Sequence, residues 1–435
     1  MRWKTAEISG WGRAIRARAD LARPERQRDL AALAAEGPAC GMRRSYGDAA
    51  LNAGGRAVEM TRLDRMLSFD AETGLLEVEA GARIGEIAAA LAPGGWLPAV
   101  MPGTGFATVG GCIGMDVHGK NHHGDGSFGQ HVAALTLATP DGPRRITPRT
   151  EPELFRATMG GLGQTGIIAS AELQLTPKAS DVIMVTERRV EDFDEHVATL
   201  EAAQATYVVG WIDATARGRS LGRGIVEEGE TGRGLVPKRG KARRVPLDAP
   251  GWALSAPVVR VFNELYYRRV PAAGRTLVKP IGDFFFPLDR IHDWNRLYGK
   301  RGFHQFQCVL PLGCLAELRA IVEAVATSGL ASPLAVLKRM GPGRAGHLSF
   351  PMEGWTLAVD FPNRTAAAPL IRRLIGKTVE AGGRIYFAKD SLADPAQMAA
   401  MYPELDDWRR IVDAADPERR MTTDLVRRLA LRGAA

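Results

Sequence analysis

Cysteine is scarce in this sequence. Four are present in 435 residues, Cys40, Cys112, Cys308 and Cys314, and no two of them form a CxxC pair. That spacing signals neither a structural zinc site nor a disulfide framework. Aromatic residues amount to 7%, and no basic stripe is interleaved with them, which weighs against nucleic acid as a partner. A long hydrophobic run is also missing. The stretch Ile87–Met115 carries no charge, but Pro93, Pro98, Pro102 and seven glycines interrupt it. None of its apolar runs approaches the ~20 residues of a membrane helix. The N-terminal MRWKTAEISGWGRAIRARAD has no continuous apolar core, so no signal peptide is expected. These absences predict a soluble protein of a reducing, cytoplasmic compartment.

What is abundant is glycine, 49 of 435 residues, with no period and clustered in a few loops. Clustered glycine suits backbone that approaches a ligand closely. The formal charge is +8, which favours anionic partners such as a membrane surface or a phosphorylated small molecule. At 45% hydrophobic and 24% charged, the chain reads as an ordinary globular protein of two or three domains.

Along the chain, a helix is expected over 25–36 and short strands at 38–42, 56–60, 66–70 and 75–80. IGEIAAALA (84–92) reads as a helix stopped by Pro93-Gly94-Gly95. Strands follow at 131–142 and 167–176. In the second, Ile167, Ala169, Ala171, Leu173 and Leu175 alternate with polar residues, the pattern of a half-buried strand. A domain boundary is placed near 178. Beyond it, strands at 181–189, 206–213, 303–310, 334–340 and 355–361 alternate with helices at 191–204, 314–328 and 366–381. This predicts an antiparallel sheet with helices on one face. Between Arg217 and Arg244 stand nine Lys/Arg and many glycines, and part of this stretch is expected to be mobile. A strand at 384–388 and helices over 395–431 close the chain.

Two loops look built for an anionic cofactor: RSYGD (44–48), and PGTGFATVGG (102–111) with its four glycines. Each alone reads as an ordinary turn; together they favour a phosphate-bearing cofactor. The glycines Gly161, Gly163 and Gly166 spell GxGxxG, but a helix precedes them and a strand follows. A dinucleotide fingerprint needs the reverse order, so a simple turn is the local reading. His118, His122 and His123 in HGKNHH lack the carboxylate or cysteine partners that complete a metal site. They are either structural histidines or an active-site polar cluster with Lys120. Gln305 and Gln307 share one face of a strand, solvated or lining a polar pocket. Lys338 reads as a snorkelling lysine, and Lys389 as a surface lysine at a strand end.

In this order, GMRRSYGDAALNAGG, MPGTGFATVGGCIGMDVHGKNHHGDGSFGQHV, LSFPMEGWTLAVDFP and GGRIYFAKDS resemble the decaprenylphosphoryl-β-D-ribose 2′-oxidase family, within the FAD-dependent vanillyl-alcohol-oxidase (PCMH-type) superfamily. The resemblance runs from SGWGR (9–13) to RRLAL (427–431). It implies an α+β fold of two units: a PCMH-type FAD-binding domain over 1–178, completed by 384–435, and a substrate-binding domain with an antiparallel sheet over 179–383.

The resemblance further implies FAD contacts from Ala39, Cys40, Gly41, Arg43, Arg44, Ser45, Tyr46, Gly47, Asp48 and Ala49; from Gly103, Thr108, Val109, Gly110 and Gly111; from Met115, Asp116, Val117 and His118; and from Ile168 and Tyr386. Some superfamily members link flavin covalently through a histidine where this chain has Tyr46, so non-covalent FAD is implied. Lys389, His118, Gln307, Lys338, Lys120 and Gln305 match the family's active-site lining. The implied reaction oxidises the ribose 2′-hydroxyl of a polyprenyl-phosphate sugar to a 2′-keto sugar. A separate NADH-dependent short-chain reductase then completes epimerisation to arabinose. Peripheral attachment at the inner face of the membrane suits such a substrate. A related oxidase of a soluble alditol or sugar lactone is the alternative. Three residues depart from the family pattern: Ala358 stands for a cysteine, Thr356 for an asparagine and Arg43 for a glycine.

Overall fold

The protein is described from a computed structural model that covers residues 2–178, 181–232, 234 and 241–433. Its fold is α+β, built on three main sheets. In the first, Lys4–Ser9 pairs antiparallel with Arg16–Ala22, and Arg56–Glu59 and Ala39–Cys40 follow in parallel. The second sheet runs Met66–Asp70, Leu75–Glu79, Ile167–Pro177, Val132–Thr139, Gly142–Ile146, with Trp96–Pro98 paired to the end of Ile167–Pro177. Strand Ile167–Pro177 is buried on both faces over Ile167–Ala171 and alternates only beyond, because neighbours flank it on both sides and the chain packs over both surfaces.

The third sheet has eight strands in the order Arg275–Pro280, Val182–Val190, Gly224–Gly232, Tyr207–Ile212, Ala335–Met340, Gly354–Pro362, Phe303–Leu310, Arg384–Ile385, antiparallel throughout. Helices Phe193–Ala202, Leu315–Ser328 and Ala367–Glu380 accompany it. Their inward residues, such as Leu318, Ile321, Val322 and Val325 at helical spacing, share one apolar cluster with Trp355, Leu357, Val359 and Phe361 of the sheet. Asp192 caps the first of these helices by accepting from the Glu195 amide at 2.9 Å. Gly329, at φ +66, ends the second. The opposite sheet face carries Gln305, Gln307, Lys338, Thr356, Ala358 and Asp360, because successive strand residues alternate sides.

Two expectations are corrected. Within the stretch 217–244, Gly224–Gly232 is an interior strand paired on both sides, to Val182–Val190 and Tyr207–Ile212. It is not a loose segment; residues 233 and 235–240 of that stretch lie outside the described residues. The expected strand 384–388 is only Arg384–Ile385. The chain then turns tightly, with the Lys389 amide donating to Tyr386 O at 2.9 Å.

The chain's last helices return to its first sheets. Arg428 forks onto Asp48 at 2.7 and 2.8 Å and reaches Asp390 at 2.9 Å. Trp408 Nε1 donates to Ala157 O at 3.1 Å. Among the described residues no helix is long and apolar enough to cross a membrane.

Candidate functional site

A single cavity of about 890 Å³ runs from the loop 39–46 to the polar face of the eight-stranded sheet. Its first wall is backbone. The amides of residues 41–45 carry no hydrogen-bond partner among the described residues, and successive free amides form a cradle for anions. A Cβ on Gly41 would lie 2.2 Å from Thr108 Oγ1, so only glycine lets the two loops close on each other. Thr108 Oγ1 accepts from the Gly111 amide at 3.3 Å and opens the helical turn Val109–Gly114. Arg43 adopts φ +47, which costs a residue with a Cβ roughly 1–2 kcal/mol; its donation to Glu59 Oε2 at 2.7 Å offsets that strain. The Arg44 guanidinium lies between the rings of Trp11 and Phe106, 4.0 and 4.6 Å from their centres, and its buried Nε has no partner.

The second wall is ionisable side chains. His118 Nδ1 accepts from Lys338 Nζ at 3.0 Å, and its Nε2 lies 3.0 Å from the Gln307 amide. Burial first, then the Lys338 cation, hold the His118 pKa well below its usual value, so the ring is neutral. Lys338 also donates to Gly119 O at 3.2 Å. Burial lowers its pKa to about 7, with Lys120 and Lys389 adding repulsion. Lys120 donates to Phe284 O at 2.6 Å, and burial lowers its pKa to about 8. Lys389 Nζ sits 3.6 Å from the centre of the Tyr46 ring. Burial lowers its pKa and raises that of Asp360, while attraction between the two opposes both shifts. Gln305 and Tyr298 both donate to Asp360, the tyrosine at 3.0 Å.

All six residues expected to act in catalysis line this cavity: Lys389, His118, Gln307, Lys338, Lys120 and Gln305. Lys338 and Lys389 are half-buried and line the cavity, not snorkelling or at the outer surface. Of the expected cofactor contacts, Gly47, Asp48, Val109 and Asp116 do not line it. Gly47 packs against Asp390 O, Asp48 pairs with Arg428, and Val109 is fully buried in the core. Asp116 accepts from Ser349 Oγ and the Gly129 and Ala345 amides. These four shape the loops from behind. Conversely, Gly163 and Gly166 of the set-aside GxGxxG do line the cavity, as part of a turn.

The sequence reading missed Trp11, Phe106, Asp289, Trp211, Tyr266, Phe284 and Phe285, which also line the cavity. The only local signal was the aromatic run Phe284–Phe286. At the outer end, buried Glu187 holds Arg269, Arg275 and Lys279. Glu227 is shared with Arg269, Lys279 and Lys120. Four cations around two carboxylates leave that end positive.

The residues present fit FAD. A free-amide cradle, an unpartnered buried arginine nitrogen and a glycine held against Thr108 suit its pyrophosphate, and the half-buried lysines suit a ring system that accumulates negative charge.

Residues 38–147 match the family model of the FAD binding domain. Over 410 residues the chain is 38% identical to a decaprenylphosphoryl-β-D-ribose oxidase of Mycolicibacterium smegmatis, covering 90% of this chain and 88% of the relative. It is 36% identical over 360 residues to an uncharacterised protein of Streptomyces coelicolor, covering 78% of this chain and 97% of the relative. An uncharacterised oxidoreductase from the fasciation locus of Rhodococcoides fascians shares 32% over 124 residues, 28% of each chain.

Proposed function

The chain belongs to the decaprenylphosphoryl-β-D-ribose oxidase family, and on that premise we propose that it oxidises the 2′-hydroxyl of a polyprenylphosphoryl-β-D-ribose to the 2′-keto sugar. It is an FAD-dependent oxidoreductase. The observation that carries the substrate reading is one cavity with unlike parts. The backbone cradle at 41–45 lines one part, and Lys120, Lys279 and Arg269, gathered around Glu227, line another. Lys389, set against Tyr46, and His118, bonded to Lys338, line it as well. A sugar placed at Lys389, His118 and Lys338 puts its anomeric phosphate toward Lys120 and its lipid toward Trp211 and Tyr266.

Residues 39–46, 108–111 and Ile168 would hold the cofactor, and Tyr46 in place of a linking histidine supports non-covalent binding. When bound, FAD would supply the acceptor for the hydride leaving C2′. The hydroxyl proton leaves to the Lys389 amine, whose burial favours the neutral, accepting form at the start of the reaction. Asp360 stabilises the resulting ammonium from the same polar pocket. Neutral His118 engages Lys338 and Gln307 through its two ring nitrogens and so positions these two side chains, which face the sugar hydroxyls. Thr356, 3.3 Å from the Gln307 amide, holds that glutamine in place.

In this reading residues 1–178 with 384–435 bind the cofactor and 179–383 bind the substrate. Arg384–Ile385 forms an edge strand of the substrate sheet and so joins the two units. The lipid tail keeps the substrate in a bilayer, so the enzyme works peripherally at the cytoplasmic face. A separate NADH-dependent short-chain reductase consumes the keto sugar.

The test is the visible spectrum of the FAD-loaded protein under anaerobic conditions. A polyprenylphosphoryl ribose should bleach the yellow absorbance, and free alditols should not. Bleaching by an alditol, with none by the lipid phosphate, would overturn the reading.

A further inference from the structure

The helix Ala256–Arg268 turns its apolar side outward. Its buried residues are only Val259 and Asn263. Val258, Val261, Phe262 and Leu265 follow the spacing of one helix face, and all are exposed, Val261 by 63% and Leu265 by 68%. An ordinary surface helix buries such a stripe. Just upstream, Leu247 and Trp252 are exposed by 74% and 70%. The helix is nevertheless firmly held. Asn263 donates to Asp213 at 2.6 Å, Glu264 pairs with Arg223 at 2.7 Å, and Arg364 donates to the carbonyls of Gly251 and Leu254. A rigid apolar face of this size marks an interaction surface.

Two observations name its partner. The first is continuity with the cavity. Exposed Phe262 stacks on Tyr266 at 5.9 Å, and Tyr266 packs on Trp211 at 4.7 Å. Tyr266 and Trp211 line the cavity, so an aromatic row leads from solvent to the substrate end. The second is charge. Over residues 241–268 stand Lys241, Arg243, Arg244, Arg260 and Arg268 against Asp248 and Glu264. Apolar side chains rimmed by cations suit the headgroup region of an anionic bilayer. The same cationic rim would oppose itself across a dimer of two such faces.

We infer that the outer face of Ala256–Arg268, with Trp252 beside it, docks on an anionic lipid bilayer and feeds the substrate's polyprenyl chain along Phe262, Tyr266 and Trp211 into the cavity. The feeding step rests on the substrate reading above; the docking step rests on the surface alone.

The experiment uses the full-length, FAD-loaded protein and the double variant Val261→Ser, Leu265→Ser, whose sites lie outside the cavity lining. Flotation is measured with vesicles of phosphatidylcholine alone and of phosphatidylcholine mixed with phosphatidylglycerol. The wild type should float with the mixed vesicles and much less with the neutral ones. The double variant should lose roughly tenfold or more in partitioning. In parallel, a water-soluble short-chain prenylphosphoryl ribose should bleach both proteins at rates within about twofold. Equal flotation of variant and wild type, or no flotation of the wild type, overturns the docking. So does a wild-type dimer in solution that the double variant converts to monomer, because the face then covers itself. Flotation as expected with no bleaching by the analogue leaves the docking intact and removes the substrate reading.

Discussion

The two walls of the cavity solve different problems with different parts of the chain. The loop wall, residues 41–45 facing 108–111, recognises through amides and the absence of side-chain atoms. A single Cβ at Gly41 would strike Thr108, whereas Arg43 occupies a left-handed position because Glu59 restrains it. The sheet wall works through ionisation. Burial strips solvent from Lys338 and Lys389 and shifts both toward neutrality. The loop wall is thus sensitive to volume and indifferent to pH, and the sheet wall is the reverse.

The widest separation of the two walls is expected at Lys389. Replacing it by Ala should lower the anaerobic bleaching rate by ~10²–10³, with FAD still bound and the fold retained. Stopped-flow traces of wild-type speed would remove Lys389 from the chemistry. On the loop wall, Gly41→Ala should weaken FAD by about tenfold through overpacking against Thr108, measured as flavin lost on gel filtration. Flavin content equal to the wild type would show that the loops can part without penalty.

A smaller effect separates the walls by pH. Folded Lys338 titrates near 7 and its unfolded counterpart near 10.5. Between those values the unfolded chain binds the extra proton, so this residue makes stability rise with pH and contributes least below about pH 7. Lys338→Met should flatten the slope of Tm against pH across that window; an unchanged slope would contradict the burial argument.

The mildest change expected is Ala358→Cys. Ala358 lines the cavity and pairs with Gln307 across the strands. The added sulfur should leave turnover within about twofold, yet react with a maleimide that substrate blocks. Labelling that substrate does not slow would place residue 358 out of reach of the sugar.

The same contrast explains what could be read in advance. The loop wall was legible because the four glycines of 102–111 announce close backbone approach and RSYGD offers successive amides beside Arg44. The alternation of Trp355, Leu357, Val359 and Phe361 against Thr356, Ala358 and Asp360 also appears as two sheet faces. Lysine burial was not legible, since nothing around Lys338 or Lys389 distinguishes a buried amine from a snorkelling one; the surrounding strands decide it. Strand Gly224–Gly232 was hidden by its own composition. Its glycines are demanded by neighbours: a Cβ at Gly224 would lie 2.0 Å from Trp211 O, and one at Gly229 2.6 Å from the Phe284 ring. The sequence therefore shows a loop-like composition where the sheet imposes an interior strand.

The clamp of Arg428 on Asp48 and Asp390 has a consequence for biosynthesis. Asp48 leaves the ribosome early, but the guanidinium that holds it is made 380 residues later. While the substrate sheet is being translated, Asp48 and Asp390 lack their shared counter-charge, and the loop and the 386–390 turn are not clamped together. On the proposed cofactor site, FAD capture is expected to finish only as the arginine emerges and folds back. A nascent chain stalled before residue 428 should hold FAD poorly even with every loop residue already in place.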